Sequence, residues 1–67
     1  MGRYTYEITF THRDGEEEVQ QHTREDDARE AFRMFDEPDS AEIYSDIRLT
    51  RYDWETGSEE LLESMSF

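Results

Sequence analysis

Residues 25–35 read EDDAREAFRMF, and this stretch decides the fold because it has the clearest helical periodicity in the chain. Ala28, Ala31, Phe32 and Phe35 recur at i, i+3, i+4 and i+7, so on a helix they form one apolar stripe among mostly charged residues. A helix with so narrow a stripe is stabilised by packing on a hydrophobic surface. The alternating segments before and after it must supply that surface.

Polar residues mark both ends of this predicted helix. Thr23, or the acidic run at 25–27, can satisfy exposed amide groups at its start, and acidic residues suit the positive end of the helix dipole. Pro38 disfavours the helical conformation of the residue before it, so we expect the helix to end within residues 36–39. The connection that follows has no readable conformation, but we expect Ile43 and Tyr44 to close the end of the core.

Strict alternation from Tyr4 to His12 indicates a strand whose even-numbered apolar residues share one buried face. Asp14-Gly15 then favours a two-residue hairpin turn. That turn would place Phe10 opposite Val19, which gives the lone apolar residue of the second strand a buried position. The rest of the second strand is polar, so we expect it to lie at a sheet edge.

A second hairpin is predicted from residue 47 to residue 67. A two-residue turn at Thr56-Gly57 would place both Ile47 and Leu49 opposite serines. A loop one residue longer places Ile47 opposite Phe67 and Leu49 opposite Met65, so we favour that loop, with Gly57 in a left-handed conformation. The alternative for the last segment is a short helix over residues 59–65, because its apolar residues also have helical spacing.

The predicted architecture is α+β: one domain, residues 1–67, in the order β-β-α-β-β, with one helix packed on one face of a four-stranded antiparallel sheet. The other face of the sheet is then open, and by alternation it carries Thr5, Glu7, Thr9, Thr11, Arg48, Thr50, Tyr52, Trp54 and Leu62. In the favoured register Tyr52 and Leu62 are cross-strand neighbours, with Trp54 nearby. We interpret these three as a contact patch for a partner or for a second copy of the chain. The alternative is that they are scattered aromatics that stabilise a hairpin.

Charge is the unusual property of the composition. Nineteen Asp and Glu stand against seven basic residues, all arginine, which gives a formal net charge of −12. Such a field repels nucleic acid and anionic lipid and steers the chain toward basic partners in a salt-dependent way. On the helix, Arg29 follows Glu25 at i+4 and Arg33 follows Glu30 at i+3, which is the spacing of helical ion pairs. The uncompensated charge concentrates in residues 14–18, 36–42 and 53–63. The predicted partner-binding set comes from these three segments: Asp14, Glu16, Glu17, Glu18, Asp36, Glu37, Asp39, Glu42, Asp53, Glu55, Glu59, Glu60 and Glu63.

No pattern of residues indicates catalysis, a cofactor or a metal site. His12 and His22 are separated along the first hairpin and are interpreted as surface residues, near Glu17 and Glu7 respectively. The acidic loop at 36–39 lacks the spacing and the glycine of a calcium loop. The carboxylates have no apolar surroundings that would raise a pKa for general acid catalysis. We therefore expect a protein that is not an enzyme.

The chain also lacks the features of a membrane or disulfide-bonded protein. It contains no cysteine, so disulfides and thiolate zinc sites are excluded. No apolar run approaches the roughly 20 residues of a membrane span. Tyr6 stands where an acylation signal starting at Gly2 would need Ser or Thr, so we expect no lipid anchor. We expect a cytoplasmic location.

Carboxylates on alternate strand residues lie about 6.6 Å apart and can stand in for the regular negative charge of a phosphate backbone. In size and charge the chain resembles the small acidic phage or mobile-element inhibitors that imitate DNA, including many anti-CRISPR proteins. The resemblance implies a nucleic-acid-binding target, such as a CRISPR effector complex in the host cytoplasm, and it transfers no functional residue. Two alternatives remain: an acidic protein adapted to high salt, and an interaction module that forms a homodimer.

Overall fold

The computed structural model describes residues 3–67 and confirms the predicted α+β architecture. The strands are β1 (Tyr4–His12), β2 (Glu17–His22), β3 (Tyr44–Asp53) and β4 (Glu59–Ser66), and the helices are α1 (Glu25–Arg33) and the short α2 (Ser40–Ile43). The sheet is antiparallel in the order β2-β1-β3-β4. The polar strand β2 lies at an edge, and residues 59–66 form a strand, both as predicted. The expectation about Gly2 lies outside the described residues.

The core lies between α1 and one face of the sheet, which we call the covered face. Ile8, Ile47 and Leu49 are fully buried there, and Tyr6 and Phe10 nearly so. From the helix, Ala28 and Phe32 are buried, while Ala31 and Phe35 are partly buried against the same cluster. Ala28, Ala31 and Phe32 of the predicted apolar stripe are therefore confirmed on the helix. The predicted helix end within residues 36–39 was wrong, because α1 ends at Arg33 and Phe35 lies in the turn that follows. Each buried aliphatic side chain contributes roughly 1.5–3 kcal/mol.

The start of α1 differs from the prediction. The cap residue is Arg24, and no side chain accepts a hydrogen bond from the first turn, so neither Thr23 nor the acidic run caps it. The first turn is instead tied to the sheet, because the Tyr6 hydroxyl donates to Glu25 Oε1 at 3.5 Å. Burial, together with the adjacent Glu25 charge, raises the pKa of Tyr6. The acidic first turn still has the favourable sign for the helix dipole.

An aromatic cluster closes one end of the core. The Phe10 ring meets Phe35 edge to face at 4.7 Å between centroids and meets Tyr44 at 5.3 Å. Phe35 lies two residues past the end of α1 and reaches the core through a turn in which its N–H donates to the Phe32 carbonyl. Tyr44 therefore closes the core as expected. Ile43 does not, because half of its surface is exposed.

The first hairpin has a different register from the predicted one. The His12 N–H donates to the Glu16 carbonyl at 2.7 Å, so the loop has three residues, with Gly15 at φ +99° in its last position. Phe10 consequently pairs with Glu18, and Val19 pairs with Thr9 on the open face, where it is 55% exposed. The prediction that Val19 is buried opposite Phe10 was wrong. The loop predicted from Asp14-Gly15 was one residue too short.

The second hairpin also differs from its predicted register. Its loop spans residues 54–57, since the Asp53 N–H donates to the Ser58 carbonyl, and Gly57 has the expected positive φ of +72°. Ile47 pairs with Met65 rather than with Phe67, and Leu49 pairs with Glu63 rather than with Met65. A bulge in β4 then shifts the pairing between Leu49 and Thr50. The bulge residue is Leu62, and its side chain packs against the core.

Candidate functional site

The open face of the sheet is a grid of cross-strand rows. One row holds Thr5, Tyr52 and Glu59, and the next holds Gln21, Glu7, Thr50 and Leu61. The following rows are Val19, Thr9, Arg48 and Ser64, then Glu17, Thr11, Asp46 and Ser66. Every open-face residue predicted on β1 and β3 lies on this face. The face is therefore a mixture of hydroxyl-bearing and charged residues, with aromatic side chains at one end.

The predicted patch of three residues is only partly assembled. The Tyr52 and Trp54 rings contact edge to face, with centroids 4.8 Å apart. Leu62 is not their neighbour, because the bulge in β4 packs it against the core. Leu61 occupies the open face instead and is 57% exposed. Whether Leu62 contributes to binding stays a prediction, but its predicted position beside Tyr52 was wrong.

Tyr52 and Trp54 line a small cleft on the open face, which we call the aromatic cleft. Its walls are Thr5, Glu7, Gln21, Tyr52, Trp54 and Glu59, and its volume is about 150 Å³. The Trp54 indole Nε1 donates a hydrogen bond to Thr5 Oγ1 at 2.6 Å, which fixes the ring beside β1. Among the described residues, no cation lies within ion-pair distance of the Glu7 or Glu59 carboxylate. The cleft therefore combines two aromatic rings with two carboxylates that do not pair with any described arginine.

Most acidic residues predicted on the second hairpin are paired with arginine. Glu60 binds Arg51, and Glu63 Oε2 lies 2.8 Å from Arg29 Nη1. Arg29 also contacts Glu25 at 2.9 Å, so it joins the helix to β4. The predicted Glu25–Arg29 pair is thus confirmed, whereas the described residues include no ion pair between Glu30 and Arg33.

Asp53 is the most strongly held carboxylate of this hairpin. Arg3 donates to both of its oxygens, at 3.1 and 2.9 Å, and the N–H groups of Glu55 and Thr56 donate to Oδ1. The bonds from Arg3, followed by those backbone donors, lower the pKa of Asp53 to about 2. Arg3 also reaches Glu55 at 3.4 Å. Of the five acidic residues predicted here as binding residues, only Glu59 lacks an arginine partner within the part of the chain that the structure describes.

The run Glu16-Glu17-Glu18 is divided between the two faces of the sheet. Glu17 lies on the open face and contacts Arg48 at 3.2 Å. Glu18 lies on the covered face, with Oε1 3.2 Å from His12 Nε2. The run therefore does not present one row of carboxylates, and only Glu16 is free of a basic neighbour within the described chain.

A second group of acidic residues meets at the end of the sheet where β1 turns into β2. The Arg13 N–H donates to the Ile43 carbonyl at 3.1 Å, and the Arg13 guanidinium donates to the carbonyl of Ala41, so the first turn and α2 are held together. Successive turn hydrogen bonds connect residues 37–42, and Asp14 Oδ1 accepts from the Glu16 N–H. We call the exposed carboxylates of this region the acidic end: Asp14, Glu16, Asp36, Glu37, Asp39 and Glu42.

The acidic end is not neutralised within the described chain. No basic side chain of residues 3–67 lies within ion-pair distance of any of its six carboxylates. Arg13 is present, but its guanidinium is used on a backbone carbonyl. At physiological salt the Debye length is about 8 Å, so neighbouring carboxylates on this surface add to one local field. This is where the free negative charge of the molecule is concentrated.

The two histidines have surroundings other than those predicted. His12 is partly buried, with its ring 4.9 Å from Tyr44, and its charged neighbour is Glu18 rather than Glu17. His22 pairs with Tyr6 across the strands, and its Nε2 lies 2.9 Å from Gln20 Oε1 rather than near Glu7. His12 is therefore part of the aromatic end of the core and not a surface residue.

Within residues 3–67, no three His, Asp or Glu side chains converge as a group that could hold a metal ion. Neither helix of that range is long and apolar enough to cross a membrane. Comparisons with protein-family models, with curated proteins and with solved structures find no significant match to this chain. The inferences below therefore rest on the geometry of its own residues.

Alternation alone did not predict the aromatic cleft. It placed Thr5, Glu7 and Tyr52 on the open face, but the position of Glu59 depends on the register of β4. The signal that could have located Glu59 is the four-residue loop at 54–57, in which Asp53 accepts backbone hydrogen bonds from residues 55–57. An Asp at the first position of a turn that contains glycine three to four residues later is a recognisable turn signal.

Proposed function

We propose that this chain is a non-enzymatic inhibitor that imitates nucleic acid and blocks the DNA- or RNA-binding groove of a basic target protein. A CRISPR effector complex is one such target, in which case the chain is a phage-encoded protein that acts in the host cytoplasm. The observation that carries this proposal is the acidic end, whose six exposed carboxylates have no arginine partner among residues 3–67. They lie on and beside a turn and a short helix that are hydrogen-bonded together.

The distribution of arginine supports a role for that surface. Arg3, Arg29, Arg48 and Arg51 each pair with acidic residues of the strands and of α1, so most of the sheet is locally balanced. A chain with general solubility as its only requirement has no need for so uneven a distribution. Basic grooves that bind nucleic acid derive most of their affinity from phosphate neutralisation and counterion release. A dense, fixed group of carboxylates can gain affinity for such a groove in the same way, by neutralising its charge and releasing counterions.

Two triple variants with the same net charge test this proposal. The first neutralises the acidic end (Glu16→Gln, Glu37→Gln, Glu42→Gln), and the second neutralises unpaired or exposed carboxylates of α1 (Asp26→Asn, Asp27→Asn, Glu30→Gln). Each changes the net charge from −12 to −9. The wild-type chain and both variants are immobilised and exposed to bacterial lysate at low and high salt, with and without competing duplex DNA. Circular dichroism checks that both variants are folded.

The expected result is a nucleic-acid-binding protein that the wild type retains at low salt and releases with duplex DNA or high salt. The acidic-end variant loses this retention, and the α1 variant keeps most of it, because only the first removes charge from the proposed contact. Retention that DNA does not displace, or equal loss in the two variants, contradicts mimicry. The design separates a specific surface from total charge.

A homodimer is the second candidate, because Val19, Trp54 and Leu61 are exposed on the open face. Sedimentation equilibrium at increasing protein concentration tests it, and a mass of one chain throughout rules it out. Adaptation to high salt is tested separately by circular dichroism at low ionic strength. A chain that depends on molar salt loses structure there through self-repulsion, whereas a mimic that acts in an ordinary cytoplasm stays folded.

A further inference from the structure

We infer that the aromatic cleft binds the guanidinium group of an arginine side chain contributed by a basic protein partner. The cleft lies on the open face, at the opposite end of the sheet from the acidic end, because β1 and β3 are antiparallel and the two hairpin turns are at opposite ends. It is therefore a second contact site. The inference rests on the proposed function only for the source of the arginine.

The charge of the aromatic cleft favours a cation. Glu59 lies directly across from Tyr52 on β4, and Glu7 lies diagonally across from it on β1, so the two carboxylates stand on either side of the ring. Arg48, the arginine of the open face, is engaged with Glu17 and Asp46. None of the described arginines lines the cleft. Two carboxylates that are unpaired within residues 3–67 attract a cation from a partner.

The two aromatic rings of the cleft also favour a cation. Cations bind the faces of Trp and Tyr within about 6 Å of the ring centroid, and Trp is the best of the aromatic partners. The chain already uses this interaction elsewhere: the Arg51 guanidinium lies 4.6 Å from the Tyr4 ring centroid, and Arg3 lies 5.2 Å from it. Tyr52 and Trp54 offer the same chemistry, and the charged side chains that line the cleft with them are both carboxylates.

Size and shape select arginine among cations. A cleft of about 150 Å³ corresponds to roughly five water molecules at about 30 Å³ each, which is space for the end of one side chain. It is smaller than the roughly 300–1,000 Å³ of pockets for drug-sized ligands. A planar guanidinium can stack on a ring and donate to carboxylates on both sides, whereas the lysine ammonium is compact and strongly hydrated. We therefore assign the cleft to arginine.

The test uses NMR, with the single tryptophan as reporter. The indole N–H signal of Trp54 is followed in the ¹⁵N-labelled full chain during titration with N-acetyl-arginine methylamide. The neutral isostere N-acetyl-citrulline methylamide and N-acetyl-lysine methylamide serve as comparisons. We expect a saturable shift at millimolar arginine probe, a several-fold weaker response to the lysine probe, and none to the citrulline probe. The amide signals of Thr5 and Glu7 should move with the indole.

Variants then locate the binding site. Glu59→Gln and Glu7→Gln should each weaken the arginine probe about two- to fivefold, which is the range for an exposed ion pair. Glu42→Gln, which removes the same charge from the acidic end, should leave the affinity within experimental error. The dispersion of the amide spectrum shows that each variant is folded.

Three results of the probe titrations overturn the inference: no saturable shift, an equal response to arginine and citrulline probes, or an equal effect of Glu42→Gln and Glu59→Gln. An indole signal that moves with protein concentration in the absence of probe assigns the cleft to an arginine of a second copy, and this also overturns it. Because the probes need no target protein, a negative result here does not affect the lysate experiment. If the probe binds saturably but the lysate experiment yields no target that DNA displaces, the cleft remains assigned to arginine and nucleic-acid mimicry is rejected.

Discussion

The two faces of the sheet are built from alternate residues of the same strands, yet they differ in both burial and charge pairing. On the covered face, Ile8 and Leu49 are completely buried, and the acidic residues at its margin are held by Arg29 and Arg51. On the open face, hydroxyl-bearing and charged residues are mixed and at least partly exposed. Within residues 3–67, the Glu7 and Glu59 carboxylates of this face have no arginine partner. The difference indicates that one face stabilises the fold while the other is available for recognition.

Removing a core side chain should give the largest effect on this comparison. Phe32→Ala should lower the free energy of unfolding by about 3–5 kcal/mol, because it leaves a cavity between α1 and the sheet. A domain of this size is stable by only about 3–10 kcal/mol in total, so the variant should be largely unfolded at 37 °C. Urea titration followed by circular dichroism measures the change.

The matched control lies on the open face. Val19→Thr should change the free energy of unfolding by no more than about 0.5 kcal/mol, because Val19 is 55% exposed. A loss of 1–2 kcal/mol would show that Val19 faces the core, as the two-residue turn had predicted. The pair of variants therefore tests both the asymmetry of the faces and the register of β2.

The next prediction concerns the first hairpin loop, because its length determines which face of the sheet each β2 side chain occupies. Gly15→Ala should destabilise the chain by about 1–2 kcal/mol, because φ is +99° there and side chains with a Cβ disfavour positive φ. A Cβ at this position would meet nothing within 4 Å, so the cost comes from the backbone conformation and not from a clash. Thermal unfolding measures it. Gly15→Asn should recover part of the loss, and equal stability of the wild type and Gly15→Ala would contradict the three-residue loop.

Sequence reasoning predicted the elements correctly, because their periodicities come from burial on one face. The helix stripe, the alternation of β1 and the strand at 59–66 each depend on many residues. Register depends on the exact length of a loop, and both loops were predicted too short, at Gly15 and at Gly57. One omitted residue moved Val19 to the other face, and the bulge in β4 exchanged Leu61 and Leu62. Arginine pairing depends on register as well. The prediction of uncompensated charge at residues 36–42 therefore agrees with the ion pairs of the described chain, whereas the same prediction for the second hairpin was wrong, because Arg3, Arg29 and Arg51 pair with its carboxylates.

The smallest expected effect is a pH dependence of stability that comes from Asp53, the last residue of β3, on the covered side of the sheet. The folded pKa of Asp53 is about 2, below its ordinary value of 3.8, because Arg3 and two backbone N–H groups bind its charged form. Between these values the unfolded chain binds more protons than the folded chain, so the contribution to stability is present above about pH 4 and is lost as pH falls through about 2. Asp53→Asn should remove this contribution. Melting temperatures of wild type and variant, measured from pH 2 to 5, should therefore converge toward the acid end, and Arg3→Gln should reproduce the convergence. Curves that stay parallel over this range would mean that the Arg3 bonds do not persist in solution, and the covered side would then be no better paired than the open face.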